Sequence, residues 1–299
     1  MDNFLKKKSN VVLIAIFYSF LWGSAFPLVK ICMEEFQAVD NMSKCLVAGI
    51  RFTLSGLLLT VFSLLKDSHF LKTDKKNSSN IAIYGVCLAL QYACTYIGLS
   101  NINASAGAIF DQLCVFIIII ASCAFLKNDK FTANKIIGCI AGFVGIIMVN
   151  TDGLGFSFSI NGEGAMITAA LLQAVAYFIA VFSANSLSAV KLVSLGQFIG
   201  GLLMIGFAMI SGGNISAVTF AGIITLVGLA LISAIAYVLS LLPLKFFPAS
   251  EIAVFNLLIT VFGVIMSALV LGENIFRFNY FASLSLVSAG IILVNLKTK

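Results

Sequence analysis

Apolar stretches of about 20 residues succeed one another along almost the whole chain, and polar positions gather in the short breaks between them. A helix of about 20 residues rising 1.5 Å per residue spans the roughly 30 Å of a bilayer's hydrocarbon. The breaks predict ten helices, at 11–32, 44–65, 80–99, 104–126, 132–150, 164–184, 190–210, 217–242, 249–271 and 278–296. The opening stretch KKKSNVVLIAIFYSFLWGSAF has the basic start of a signal peptide. Its apolar run exceeds the roughly 7–15 residues of a signal sequence, so it is read as the first span.

An even number of spans places both termini on one face of the membrane, and the basic residues choose that face. With the N-terminus in the cytoplasm, Lys6, Lys7, Lys8, Lys66, Lys72, Lys75, Lys76, Lys127, Lys130, Lys135, Lys191, Lys245, Lys297 and Lys299 fall inside, 14 of the 18 Lys and Arg residues. Lys30, Lys44 and Arg277 fall outside, and Arg51 lies within the second span. This bias favours ten spans with both ends cytoplasmic in a cell membrane.

The chain also repeats itself. Residues 104–150 slide onto 249–295 at an offset of 145 without gaps, with 15 of 47 positions identical. GIIMVN (145–150) returns as GIILVN (290–295), Ala104-Ser105 as Ala249-Ser250, Ser122 as Ser267, Asn134 as Asn279, and Tyr92 as Tyr237. The expected fold class is therefore an all-α polytopic membrane protein, ten transmembrane helices arranged as two inverted five-helix repeats, 11–150 and 164–296. Five spans is an odd number, so the second unit enters the membrane upside down. Inverted repeats of this kind place a transport site near the midplane where the halves meet.

Composition narrows the reading. Of 299 residues, 61% are hydrophobic and 10% are charged, against about 25% charged in a soluble domain. The net charge of +6 is scattered over short loops rather than gathered in a patch, which excludes a nucleic-acid partner. The seven cysteines form no C-x-x-C pair, and Cys87, Cys94, Cys114, Cys123 and Cys139 sit inside apolar runs as small hydrophobes. Cys32 and Cys45 flank one loop and would pair only in an oxidising space. Neither a metal site nor a cofactor is expected. The expected partners are a small-molecule substrate and the lipid bilayer, with the chain a monomer or a homodimer.

Asp111 interrupts the apolar run AGAIFDQLCVFIIIIASC (106–123). A carboxylate at the centre of a bilayer costs roughly 2.5–3.5 kcal/mol on insertion scales, so it should face protein or water. Positions 104, 107, 108, 111, 115, 118 and 122 share one helical face of small residues, a surface that packs against another helix. The repeat mate of Asp111 is Asn256, on a face with Ala249, Ile252, Ala253, Thr260, Gly263 and Ser267. Asp111 lies about seven residues, roughly 10 Å, below the outer end of its helix, and Arg51 lies at a similar depth. Three roles stay open for Asp111: a structural ion pair with Arg51, a carboxylate wetted at the outer vestibule, or a functional group. The functional group would either couple transport to protons or anchor a substrate amine. Trp22, Gln91, Tyr92, Tyr96, Asp111, Tyr177, Tyr237 and Asn256 are the candidate substrate-binding residues. Tyr18, Tyr84, Thr95, Gln173, Ser233 and Ser240 are polar groups at the same depths that also need partners. The pairs Gly138/Gly142 and Gly196/Gly200 read as helix-packing motifs, and Pro27, Pro243 and Pro248 as positions of kinks. Glu251 reads as a charge favoured at a helix start.

LWGSAF (21–26), Arg51-Phe52, Ala104-Ser105, Ala249-Ser250 and LGE (271–273) together make the chain resemble the drug/metabolite transporter superfamily, in its EamA-type branch of ten-helix proteins. The resemblance covers nearly the whole chain as two EamA-like units. It implies a secondary transporter with a central cavity lined by both halves, often an exporter of amino acids or other small metabolites. The chain departs from that family in lacking a proline near Cys114 and Thr260, and in closing its fourth helix with Leu126-Lys127-Asn128 rather than L-G-E. The expected function is alternating-access export of a small organic metabolite, an amino acid or an amine, across the cytoplasmic membrane. A channel or uncoupled facilitator is the alternative, though neither a continuous polar lining nor a ring of repeated charges is present. An enzyme is not expected: the sole histidine, His69, lies in a charged loop. No phosphate-binding G-x-x-x-x-G-K-[ST] motif offers ATP drive.

Overall fold

A computed structural model describes residues 5, 8–125, 132–148, 151–152, 155–156, 158–247 and 256–295. Its described helices are α1 (Lys8–Glu35), α2 (Asn41–Lys66), α3 (Lys75–Asn101), α4 (Ala104–Phe110), α5 (Leu113–Phe125), α6 (Ala133–Met148), α7 (Ala165–Ser183), α8 (Ala189–Ile210), α9 (Phe220–Leu241), α10 (Leu257–Leu271) and α11 (Phe278–Asn295). The only strands among the described residues form a two-residue antiparallel ribbon, Thr151–Asp152 with Gly155–Phe156. Seven segments are long and apolar enough to cross a membrane, the α4–α5 pair counting as one, and α6 and α10 are shorter apolar helices. The Ala249-Ser250 pair, Ile252 and Ala253, Pro248, Glu251, Asn150 and Leu126–Asn128 lie outside the described residues.

Loop polar residues set the helix starts. Asp40, Asp74, Ser188 and Thr219 each accept a backbone N–H from the first turn of α2, α3, α8 and α9, satisfying donors that a helix leaves open. α1 runs through Pro27, whereas Pro243 lies in a 3-10 turn (Leu242–Lys245) that ends α9. All seven cysteines are free thiols, Cys32 and Cys45 included.

Polarity is inverted relative to a soluble protein. Leu13, Phe17, Leu57, Phe62, Phe182 and Phe207 are exposed on the outside, while Ser19, Ser55, Gln197 and Ser233 are buried. An apolar exterior of this extent suits lipid rather than water. Small residues let the helices approach closely: a Cβ at Gly200 would strike the Gly85 carbonyl, so α3 and α8 meet backbone to backbone.

The packing has a regular pattern. α2 packs on α8, α4 on α10, and α6 on α11. α3 packs on α7 while α9 packs on α1, and α1 packs on α10 while α7 packs on α5.

The fourth span is not the continuous helix expected. It breaks at Asp111–Gln112, where Gln112, Cys114 and Val115 donate to carbonyls three residues back, at Ile109, Asp111 and Gln112. Tightening to this 3-10 pattern withdraws the N–H that would reach the Ala108 carbonyl, and the Thr260 hydroxyl donates to it instead (3.3 Å). The face of small residues is buried as expected at 104, 107, 108, 115, 118 and 122.

Candidate functional site

The break at Asp111 opens onto a central cavity of about 110 Å³ lined from α1, α2, α3, α5, α7, α9 and α10. That volume holds several waters or a compact solute. Trp22, Arg51, Gln91, Tyr92, Tyr96, Asp111, Tyr177, Tyr237 and Asn256, the nine residues singled out from the sequence, all line it, together with Tyr84, Thr95, Gln173 and Ser240. Tyr18 and Ser233 stand one layer back. The Tyr18 hydroxyl donates to Asn256 Oδ1 (3.2 Å), and Ser233 Oγ receives Arg51 Nε (2.8 Å).

The ion pair anticipated between Arg51 and Asp111 is not formed. Arg51 Nε donates to Ser233 Oγ and to the Leu229 carbonyl (3.3 Å), both on α9, and Nη1 donates to the Tyr96 hydroxyl (3.3 Å) on α3. Phe52 and Tyr92 flank the guanidinium, with ring centroids 4.9 and 5.7 Å from Cζ. Asp111 keeps partial exposure to the cavity, and its side-chain partner is the Gln173 amide. Equal depth along two helix axes says nothing about the direction each side chain takes. α3 and α9 hold the guanidinium on one side, and α7 serves the carboxylate on the other.

An aromatic wall joins the two halves. Trp22 meets Tyr237 edge-on at 4.7 Å, and Tyr237 donates its hydroxyl proton to the Tyr92 hydroxyl (2.8 Å). Tyr92 packs on Phe52 at 4.1 Å. Tyr92 and Tyr237 are repeat mates, so equivalent residues touch. The mates Asp111 and Asn256 are also neighbours: Gln112 Nε2 donates to the Asn256 carbonyl (3.2 Å), so the helix break lies against the start of α10.

Three polar devices escaped the reading of the sequence. Ser55 Oγ donates to Gln197 Oε1 (2.5 Å), and Gln197 Nε2 donates to the Ser233 carbonyl (3.4 Å), bracing the Arg51 shelf from α8. Gln197 lies within the Gly196–Gly200 motif, a buried face by its own pattern, and that was the available signal. Gln112 is fully buried with Oε1 unpartnered. Glu273 follows Gly272, whose φ of 66° ends α10 in the left-handed region that favours glycine. Its carboxylate accepts from Ala104 N (2.8 Å), Ser105 N (3.0 Å) and Ser105 Oγ (2.5 Å), so the end of α10 grips the start of α4.

Comparison with known proteins follows the same lines. The model of the EamA-like transporter family matches the chain twice, over residues 9–151 and 160–296. A Bacillus subtilis (strain 168) protein named uncharacterized transporter YvbV is 27% identical, the match covering 98% of this chain and 93% of that protein. An uncharacterized transporter of Haemophilus influenzae is 24% identical over 67% of this chain and 68% of its own length. A solved crystal structure superposes with a TM-score of 0.70 at 16% identity, covering 97% of this chain and 98% of that one, a likeness of fold alone.

Proposed function

This chain belongs to the EamA-like transporter family, and we propose that it is a secondary carrier exporting a small organic metabolite, an amino acid or an amine, across the cytoplasmic membrane by alternating access. It is a multi-pass membrane protein, and its relatives are transporters rather than enzymes. In the proposed arrangement ten spans form two inverted units, 11–150 and 164–296, with both termini cytoplasmic. The packing supports this, because exchanging the two units maps the main helix contacts onto one another: α3 on α7 becomes α9 on α1, and α1 on α10 becomes α7 on α5, while α2 on α8, α4 on α10 and α6 on α11 map onto themselves.

The observation that carries the reading is the cavity itself. It combines Arg51 from the first unit, Asp111 at an interrupted helix, and Asn256, the mate of Asp111, from the second unit. Interrupted helices at a repeat interface expose backbone and polar groups where a solute binds, and rocking of one unit on the other changes the face that the site addresses. The candidate ligand-binding set is Trp22, Arg51, Gln91, Tyr92, Tyr96, Asp111, Tyr177, Tyr237 and Asn256.

Counterflow tests the carrier. Proteoliposomes preloaded with an unlabelled amino acid or amine should accumulate the labelled compound transiently above its equilibrium level, with saturable kinetics. Flux that is linear in concentration and indifferent to preloading would identify a channel instead.

A further inference from the structure

A second cavity, of about 290 Å³, lies where α7 turns into α8 and where α9 ends. Leu5, just ahead of α1, lines it too, which puts it at the end of the bundle where the first helix begins. Its rim is polar and its floor apolar: Asn185, Ser188 and Lys245 are exposed, whereas Ala180, Leu187 and Leu241 are buried. A polar mouth over an apolar floor meets water rather than lipid tails, and in the proposed arrangement that mouth opens to the cytoplasm.

Leu241 is the only described residue that lines both this cavity and the central one. On α7 the boundary falls within a single turn, since Tyr177 lines the central space and Ala180 the second one. At α9, therefore, one side chain stands between the two spaces. Leu241 belongs to the last turn of α9, where Pro243 has no N–H to give the Leu239 carbonyl and the chain tightens into its 3-10 turn. The repeat offset pairs Leu241 with Tyr96 and Leu244 with Leu99. Tyr96 and Leu99 both line the central cavity, whereas Leu244 lines neither space. The central cavity thus follows α3 farther than it follows α9, and on α9 it stops at Leu241. We propose that the second cavity is the cytoplasmic antechamber of the transported solute and that Leu241 is the gate between it and the central site. This rests on the carrier reading above and adds to it the route by which the solute reaches the site. A leucine suits the role, because it seals an opening by excluding water and has no hydrogen bond to break when it moves.

Labelling by a membrane-impermeant maleimide in inside-out vesicles tests this in a cysteine-free background. Ala184→Cys places a thiol in the second cavity, and Ala176→Cys places one in the central cavity about two turns earlier on α7. The first should label fast and the second slowly. Leu241→Ala should speed labelling at position 176 about tenfold or more, as truncating a buried leucine favours the open form, and should leave position 184 unchanged. Leu99→Cys, probed from the opposite face in right-side-out vesicles, should label no faster when Leu241 is truncated, because a local gate at the other end does not reach it. Position 176 labelling as fast as 184 with Leu241 in place, no gain on truncation, or an equal gain at position 99 would each overturn the gate. Labelling of position 184 only from the right-side-out face would overturn its cytoplasmic placement, and the antechamber with it. The comparison of 176 with 184 needs no change at Leu241, so it stands whether or not that variant folds. Counterflow is measured separately: its absence beside the expected labelling would remove the carrier and leave a gated pore, whereas its presence beside a failed labelling pattern would remove the gate alone.

Discussion

Asp111 and Asn256 occupy equivalent places in the repeat, yet only one of them is acidic. The charge is therefore a difference between the halves rather than a requirement of the fold, which has a neutral side chain at the matching position. Asp111→Asn restores that equivalence and is expected to leave a folded protein whose flux no longer responds to an imposed pH gradient, measured in proteoliposomes. An unchanged response would remove Asp111 from coupling. Because the guanidinium and the carboxylate are held by different helices, Asp111→Ala with Arg51→Ala should transport no better than the worse single variant. Recovery of flux in the double variant would mean that the two charges neutralise each other after all. The sequence supplied both residues and their depth, since an ionisable group in a 20-residue apolar run is conspicuous. It could not supply their partners, because Ser233, Leu229 and Gln173 lie 62 to 182 positions away along the chain and reach the site only through helix packing.

Helix ends carry the next level of organisation. The Gly272 turn delivers Glu273 to the first turn of α4 with three hydrogen bonds to one carboxylate, and the residue 145 positions earlier is Asn128, which has no charge to offer. The clasp at this end is thus charge-assisted, and the matching sequence position, Asn128, lies outside the described residues. Charge-assisted hydrogen bonds are roughly twice as strong as neutral ones, so Glu273→Gln should destabilise this end by about 1 kcal/mol. The readout is faster labelling by a membrane-impermeant maleimide of a cysteine placed at Leu99, which lines the cavity from α3, in a cysteine-free background. Labelling at the wild-type rate would show that the clasp does not gate the cavity. Asp40 caps α2 in a simpler way. The Ser43 hydroxyl first, and then the Ser43 N–H, hold its carboxyl below the usual carboxylate range. The stabilisation is therefore present above the unfolded-state pKa, near about 3.9, and is lost as the pH falls through the lower folded value. Asp40→Ala should cost about 1 kcal/mol in melts at neutral pH, and the penalty should shrink in acid as the carboxyl protonates. Hydropathy located the helices that these ends belong to but passed over the break at Asp111–Gln112, because a 3-10 turn inside an apolar run leaves no polar interruption beyond those two residues, too short to read as a gap between spans.

For the molecule as a whole, the decisive quantity is the parity of its spans. Seven described segments are long enough to cross alone, an odd number that would place the two ends of the chain on opposite faces. The remaining apolar helices are short: α6 has 16 residues and α10 has 15, while α11 has 18. At 1.5 Å per residue the two shorter ones cover roughly 22–24 Å, less than the hydrocarbon thickness, and a pair of spans of that length needs help from local thinning or from the residues that flank it. Packing argues that they cross. α6 lies along α11 with the Ser283 hydroxyl donating to the Gly145 carbonyl (2.5 Å), α10 lies along α1, and Gly290 meets the backbone of Gly138 too closely for a side chain between them. A helix lying flat on the surface would not bury a hydroxyl against a partner's backbone in this way, since water would satisfy both groups. In the proposed arrangement α6, α10 and α11 complete ten spans, and both termini return to the face expected to hold 14 of the 18 cations. Reporter fusions at the two ends should therefore give the same cytoplasmic signature, a folded fluorescent protein at each and no periplasmic alkaline phosphatase activity at either. One end on each face would leave an odd number of spans, and with it neither two five-helix units nor the exchange of contacts between them.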